Sequence, residues 1–303
     1  MTTKNTTTHT TIECPLCSSN RYIEIEKFRS KLITDFYNKH YNMDVSNYFP
    51  SNEFTTYLCA DCGLRHHSPA IPGNSDYYNH MQTLDFYYEK NKPEFSYAIK
   101  KLMEIKPESL LEIGCGEGHF LAKIKNAFNV KGAELTEDSI TKMKEKGIRL
   151  DQPHDLYAFV CNFQVLEHVP DVYNFIKLMV DKLKPGGHLL ITVPNNDSKY
   201  CTEQFGVLDY PPHHMTQWTK QSLYHIAEIF PLETIEYYEE PHRLTHYQGL
   251  IKGRRQQLLT SKGFKGKIMK ALALVLDPVM SPYMLDHIDY CGMTHGMLFK
   301  KKI

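Results

Sequence analysis

The sequence predicts an α/β protein built on a doubly wound, mostly parallel sheet, preceded by a small cysteine-rich module. Three observations carry that expectation. Apolar runs alternate with helical stretches from Ser109 to about Pro194, as successive βαβ units require. A glycine-rich turn, Gly114-Cys115-Gly116-Glu117-Gly118, joins the first apolar run of that region to its first helical stretch. Two Cys-x-x-Cys pairs, Cys14/Cys17 and Cys59/Cys62, lie well ahead of it.

In chain order, residues Met1 to Thr11 are Thr-rich without an apolar core and read as a disordered tail. Residues 12–72 form the cysteine module. Residues 73–108 read as a helical linker or lid, with Phe86, Tyr87, Phe95, Ala98, Ile99 and Leu102 spaced as a buried stripe. The main domain covers 109–303. It starts with a strand at Leu110–Ile113, a helix at Phe120–Phe128, a strand at Val130–Glu134 and a helix at Glu137–Lys146. A strand at Leu156–Phe163 and a helix at Val172–Leu183 follow. The turn Lys184-Pro185-Gly186-Gly187 stops that helix and starts the strand His188–Val193. Beyond Pro194 come insertions over about 196–290: a polar loop, a helix near Lys220–Ile229, a strand at Thr234–Tyr238 and an apolar helix around Ile268–Leu276. A last strand, Gly292–Lys300, closes the chain.

Bulk properties weigh against several classes. Lys+Arg and Asp+Glu are equal at 35 each, so no basic field draws the chain to nucleic acid or an anionic membrane. The longest late apolar run is broken by Lys270, Asp277 and Pro278, short of the ~20 residues that span a bilayer. With no export signal the chain reads as cytoplasmic, where its eight cysteines serve as thiols or metal ligands.

The Gly-rich turn after a strand lets a nucleotide-like ligand approach the backbone. Glu112, two residues before Gly114, favours a ligand carrying a cation. Glu134, at the end of the second strand, is placed to accept hydrogen bonds from both hydroxyls of a ribose. Together with Val165-Leu166-Glu167-His168-Val169-Pro170-Asp171 and Leu183-Lys184-Pro185-Gly186-Gly187, these residues resemble the class I S-adenosylmethionine-dependent methyltransferases of the Val-Leu-Glu-His type, over about residues 109–195. The resemblance implies a Rossmann-like methyltransferase sheet. It implies that Glu112 lies near the donor's methionine amino group, that Gly114, Cys115, Gly116 and Gly118 line the donor, that Glu134 and Leu135 lie at its ribose, and that Asn162, Phe163 and Gln164 flank the sulfonium. The chain is short between Ile148 and Leu156, so the resemblance leaves the adenine contact to Asp151 or Gln152.

Four cysteines in two Cys-x-x-Cys knuckles can surround one tetrahedral Zn²⁺. Cys14, Cys17, Cys59 and Cys62 are therefore expected to hold structural zinc in a zinc-ribbon-like module, a feature that many sugar and natural-product methyltransferases resemble. Cys115, Cys161, Cys201 and Cys291 read as small buried residues.

Methyl transfer to a hydroxyl needs a base. The segment Tyr210-Pro211-Pro212-His213-His214-Met215-Thr216-Gln217-Trp218 offers His213 and His214, with His168 as the further candidate; the structural alternative is that the pair holds the loop against the core. Lys252, Arg254 and Arg255, near His242 and His246, read as a solvated helix face, with phosphate binding the alternative. The function expected is methyl transfer to a small-molecule hydroxyl, on a sugar or nucleotide-linked sugar or related phosphorylated metabolite of surface-glycan (polysaccharide) or secondary metabolism. The competing readings are a macromolecular substrate, RNA or protein, gripped by the zinc module, and a non-catalytic donor-binding scaffold.

Overall fold

The computed structural model describes residues 12–84, 87, 90–198, 206–241 and 292–303. The N-terminal part folds as β1 (Tyr22–Arg29), α1 (Ser30–Tyr41), β2 (Glu53–Cys59), β3 (Arg65–Ser68), α2 (Ser75–Met81) and α3 (Pro93–Ile105). Then come β4 (Leu110–Ile113), α4 (His119–Ile124), β5 (Val130–Ala133), α5 (Glu137–Glu145), β6 (Arg149–Leu150) and β7 (Tyr157–Phe163). The rest is α6 (Val172–Asp181), β8 (Leu183–Pro194), β9 (Thr216–Gln217), α7 (Lys220–Ile229), β10 (Leu232–Glu239) and β11 (Thr294–Lys301).

The main sheet has seven strands in the order β6-β5-β4-β7-β8-β11-β10. β4 is parallel to both β5 and β7, and β7 to β8, whereas β11 runs antiparallel between β8 and β10. The chain leaves β4 for β5 on one side and reaches β7 on the other, so strand order reverses at β4. A crevice opens there at the carboxyl ends of the strands.

Both sheet faces are covered at the centre, and β4, β7 and the second half of β8 are accordingly buried almost continuously rather than alternating. On one face Phe95, Ala98 and Leu102 of α3 and Phe120 and Leu121 of α4 pack against Leu110, Phe159 and Leu190. On the other, Ile176 and Met179 of α6 and Leu223 and Ile226 of α7 pack against Leu111, Val160 and Ile191.

The cysteine module belongs to this second core. Cys14, Leu16, Cys59, Cys62 and Leu64 cluster with Trp218 and Leu223. Its antiparallel sheet, in the order β1-β2-β3-β9, takes its last strand from the segment after the paired histidines: His66 pairs with Thr216 and Arg65 with Gln217. A third cluster, around Ile33, Tyr37, Phe54 and Tyr77, fills the space between α1, β2 and α2.

Local structure departs from the sequence reading at several points. Lys184-Pro185-Gly186-Gly187 lies inside β8, whose pairing with β7 skips from Tyr157↔Leu183 to Phe159↔His188. The segment is a bulge, and Gly186, at φ +73, takes its left-handed residue. The helical stretch after Tyr77 is two helices. α2 ends at Met81, and Pro93 starts α3 at a first-turn position where its missing N–H costs nothing. Helix α1 carries no strong periodic signal, yet Ile33 and Tyr37, one turn apart, are fully buried. Phe86, Tyr88, the Ile268–Leu276 helix, the Lys252–Arg255 cluster with His242 and His246, Cys201 and Cys291 lie outside the described residues.

Trp218 has no exposed surface and is packed where the two sheets share one core. Trp218→Ala is expected to cost about 3–5 kcal/mol, read as a lower midpoint in urea unfolding. An unchanged midpoint would show that the shared core is not a source of stability.

Candidate functional site

At the carboxyl end of β4 the chain enters the glycine turn with Gly114 at φ +74, Gly116 at φ +51 and Gly118 at φ +74. A Cβ on Gly114 would sit 2.6 Å from Cγ2 of Val165, so the loop lies directly on the turn that follows β7. Glu134 ties the loop from the other side. Its Oε2 accepts from the Gly116 N–H at 2.8 Å, and its Oε1 from the N–H groups of Leu135 and Thr136 at 2.7 and 3.2 Å. The carboxylate thus bridges the ends of β4 and β5, where the chain changes direction.

Glu112 is 3% exposed, and burial raises its pKa well above the ordinary carboxylate value. Its Oε2 has no hydrogen-bond partner among the described residues. Asn162, with no exposed surface, likewise has both side-chain polar atoms unpartnered among them. Buried polar groups are normally satisfied. Two such groups flanking the crevice therefore suit a polar, cationic ligand.

The remaining donor-side residues divide by what their side chains touch. Gln164 adopts φ +56 and donates from Nε2 to Oε1 of Glu94 at 3.4 Å and Oγ1 of Thr294 at 3.5 Å. Cys115 is buried, its Sγ 3.3 Å from Sδ of Met143. The Phe163 ring packs edge-on against Phe95 and Phe120. Cys115 and Phe163 thus direct their side chains into the core. Leu135 is 95% exposed beside Glu134. Asp151 has its carboxylate held by the Tyr157 hydroxyl and by Lys182, both at 2.6 Å, and Gln152 is exposed.

The structure brings His168, His213 and His214 together. One ring nitrogen from each lies within 4.8 Å of the others, and the ring centroids are 4.6 to 4.9 Å apart. Three elements place them. His168 sits in the 3₁₀ turn after β7 and donates from Nδ1 to the His213 carbonyl at 2.7 Å. The Met215 N–H donates to the Glu167 carbonyl at 2.8 Å, which fixes the His213-His214 segment over that turn. Helix α2 covers the cluster: the Tyr77 hydroxyl lies 3.1 Å from Nδ1 of His213, and the Tyr78 ring is edge-on to His168. Burial pushes the His168 pKa down to about 3 and that of His213 well below the ordinary value.

Glu167, Asp209 and Tyr77 complete this group and were not singled out as site residues by sequence. Glu167 is 1% exposed, and burial raises its pKa to about 7. Its Oε1 is 3.8 Å from Nε2 of His168 and 3.9 Å from Nε2 of His214. Asp209 lies 3.4 Å from Nδ1 of His214. The signal for Glu167 was its place beside His168 in the Leu-Glu-His segment; Tyr77 looked like ordinary aromatic core.

Cys14, Cys17, Cys59 and Cys62 converge as the spacing requires. Their Sγ atoms all lie within 4.8 Å of one another, with Cys14–Cys62 and Cys17–Cys59 at 3.5 Å. A tetrahedral ion with Zn–S near 2.3 Å needs S···S edges of about 3.8 Å, so the four thiols fit such an ion. Among the described residues no helix is long and apolar enough to cross a membrane.

A family model described as a methyltransferase domain matches residues 86–237. A ubiquinone biosynthesis O-methyltransferase from Rickettsia felis is 28% identical over 127 residues, 36% of this chain and 52% of its own. Another from Hydrogenovibrio crunogenus is 28% identical over 117 residues, 33% of this chain and 48% of its own. The chain spans about half the length of these curated relatives. The crystal structure of the N-methyltransferase NodS from Bradyrhizobium japonicum WM9, in complex with S-adenosyl-L-homocysteine, aligns at a TM-score of 0.45 with 13% identity, covering 76% of this chain and 93% of that one.

Two outcomes follow from this geometry. An alanine at Gly114 combines left-handed strain of about 1–2 kcal/mol with the Val165 contact, so G114A should bind S-adenosylhomocysteine about tenfold more weakly or worse. Calorimetric titration reads this, and equal affinity would exclude the glycine turn as the ligand's seat. The second outcome concerns pH. His168 stays neutral in the folded chain down to about pH 3, whereas the unfolded chain protonates it below its ordinary value of 6.5. The unfolded state then binds more protons, so stability falls as pH drops from about 6.5 towards 3. Glu167 acts oppositely: its contribution is full below the ordinary 4.5 and is lost as pH rises through about 7. Urea midpoints at pH 5 and 7 should therefore differ less, in the acid-destabilised sense, for His168→Gln than for the parent, and an identical pH dependence would contradict the burial of a neutral imidazole.

Proposed function

The chain belongs to the methyltransferase-domain family, and from that premise we propose that it transfers the methyl group of S-adenosylmethionine to a hydroxyl of a small-molecule acceptor, a sugar, nucleotide-linked sugar or related phosphorylated metabolite. The observation that carries the reading is the pairing of two features at one end of the sheet. A glycine turn flanked by a buried carboxylate with an unpartnered oxygen, Glu112, stands beside a group of three buried or half-buried imidazoles.

In this reading Glu112 faces the donor's ammonium, Gly114 to Gly118 give their backbone to its methionine and ribose, Glu134 and Leu135 lie at the ribose, and Asn162 to Gln164 flank the sulfonium. The donor is already activated. Its C–S bond breaks with the electron pair left on sulfur, giving S-adenosylhomocysteine, while a bond forms from carbon to the acceptor oxygen. What the protein adds is alignment and removal of the hydroxyl proton.

The imidazoles take that proton. His213 and His214 are the residues proposed for that role. His168, its Nδ1–H committed to the His213 carbonyl and its basicity lowered by burial, is the further candidate and orients them. The Tyr77, Tyr78 and Tyr87 rings pack on this group. Zinc in the four-thiol site belongs to the same proposal as a structural ion, holding the module that supplies β3 to the His213-His214 segment.

The test is S-adenosylhomocysteine production against a panel of nucleotide sugars and phosphorylated metabolites. An accepted substrate should lose about 10²–10⁴-fold in kcat with His168→Ala, His213→Ala or His214→Ala while donor binding persists. Turnover untouched in all three variants would end the base role, and turnover only on RNA or protein would end the small-molecule reading.

A further inference from the structure

We propose that His168, His213 and His214 form a binding site for one divalent transition-metal ion, separate from the four-thiol site. The inference goes beyond the methyl-transfer reading and does not need it. Among the described residues, two groups hold three or more ligand atoms within 4.8 Å of one another: the four cysteines and these three histidines.

The outer contacts of the imidazoles argue for ligation. Each ring turns its Nδ1 outward to a different partner: His168 to the His213 carbonyl at 2.7 Å, His213 to the Tyr77 hydroxyl at 3.1 Å, and His214 to Asp209 at 3.4 Å. Metal-ligating histidines are oriented in this way, by a carbonyl, hydroxyl or carboxylate on the nitrogen away from the ion. The three Nε2 atoms are then the donor set. Those of His168 and His214 face one common point, since both lie within 3.9 Å of Oε1 of Glu167.

Glu167 supplies the independent observation. Its side chain is almost wholly buried, and its Oε2 has no partner among the described residues. A buried carboxyl group with an unpartnered oxygen beside converging imidazoles suits a cation. A divalent ion on the three Nε2 atoms provides one, with Glu167 as counter-charge or fourth ligand. Tetrahedral Zn–N bonds of about 2.05 Å set N···N edges near 3.4 Å, against ring nitrogens that lie within 4.8 Å of one another with no ion present. Nitrogen and carboxylate donors suit Zn²⁺, Co²⁺ or Ni²⁺ rather than Ca²⁺ or Mg²⁺. Ion and proton compete for the same lone pairs, so the imidazole-base role belongs to the ion-free chain, and in the ion-loaded chain the ion would take it over by lowering the pKa of a hydroxyl bound to it.

The experiment counts metal on the intact chain, independently of turnover. Protein dialysed against limiting Co²⁺ or Ni²⁺ should hold one ion per chain that survives Cys14→Ser, and that ion should be lost with His168→Gln or with His213→Ala while the thiol-bound metal is kept. Tyr77→Phe retains every ligand and removes the hydroxyl's contacts to His213 and to the Tyr37 hydroxyl, so it should weaken the ion by about 10–100-fold with an unchanged circular dichroism spectrum. Tyr37→Phe, which removes the Tyr37 contact alone, should leave the ion in place. Cobalt bound at this site should show d–d bands without sulfur charge transfer. The proposal is overturned if the only ion bound carries the sulfur signature, or if His168→Gln and Tyr77→Phe bind the second ion as tightly as the parent.

Discussion

Everything around the histidines depends on one short pairing, that of Thr216–Gln217 with β3. His66 and Arg65 provide the register, the His67 N–H donates to the Met215 carbonyl, and the Met215 N–H donates to the Glu167 carbonyl. The segment is therefore fixed on both sides, to the cysteine module and to the turn after β7. Neighbouring bonds reinforce it. Thr219 donates its hydroxyl to the Gly63 carbonyl next to Cys62, Asn196 accepts from the Trp218 N–H, and the Trp218 indole donates to Thr216. A module that looks like an appendage in sequence is, physically, the clamp that sets the position of His213 and His214.

This arrangement concentrates costly groups. Glu112, Glu167, His168, His213 and His295 are buried or nearly so, and desolvation shifts each towards its neutral form. In a structural core such groups would be replaced by apolar ones of similar volume at little loss. Their gathering near the carboxyl ends of β4, β7 and β8 is what the proposed site rests on. By contrast, Asp151–Lys182 joins the ends of β6 and α6, and Lys101–Glu236 ties α3 to the edge strand β10.

What could be read from the sequence follows from how local each signal is. The parallel sheet was legible because its strands are short apolar runs with a helix between each, and the thiol site because its ligands come in two local pairs. The bulge at Pro185-Gly186-Gly187 reads as a turn in sequence because both use the same residues; only pairing with β7 separates them. Helix α1 escaped because its buried residues are few and it packs on aromatic neighbours brought in from β2 and α2. Of the site, the glycine turn and the three histidines were visible. The environment of the histidines was not: Tyr77 lies 136 residues from His213 in sequence, and no periodicity announces a hydrogen bond of that separation.

The short connection after β6 shows how a missing segment reshapes a site. Asp151 stands where β6 ends, level with the donor crevice, yet its carboxylate is held by Tyr157 and Lys182, while Asp155 pairs with Lys131. With only a few residues between β6 and β7, the chain must turn at once, and the two acids brace that turn. They serve the strand connection first. In the proposed reading, a donor at Gly114–Gly118 would therefore be gripped chiefly at its methionine and ribose ends, by Glu112 and Glu134. Specificity for the donor would then rest on recognition of its charged end, in keeping with a buried carboxylate that has an oxygen to offer there and a glycine loop tied down by Glu134.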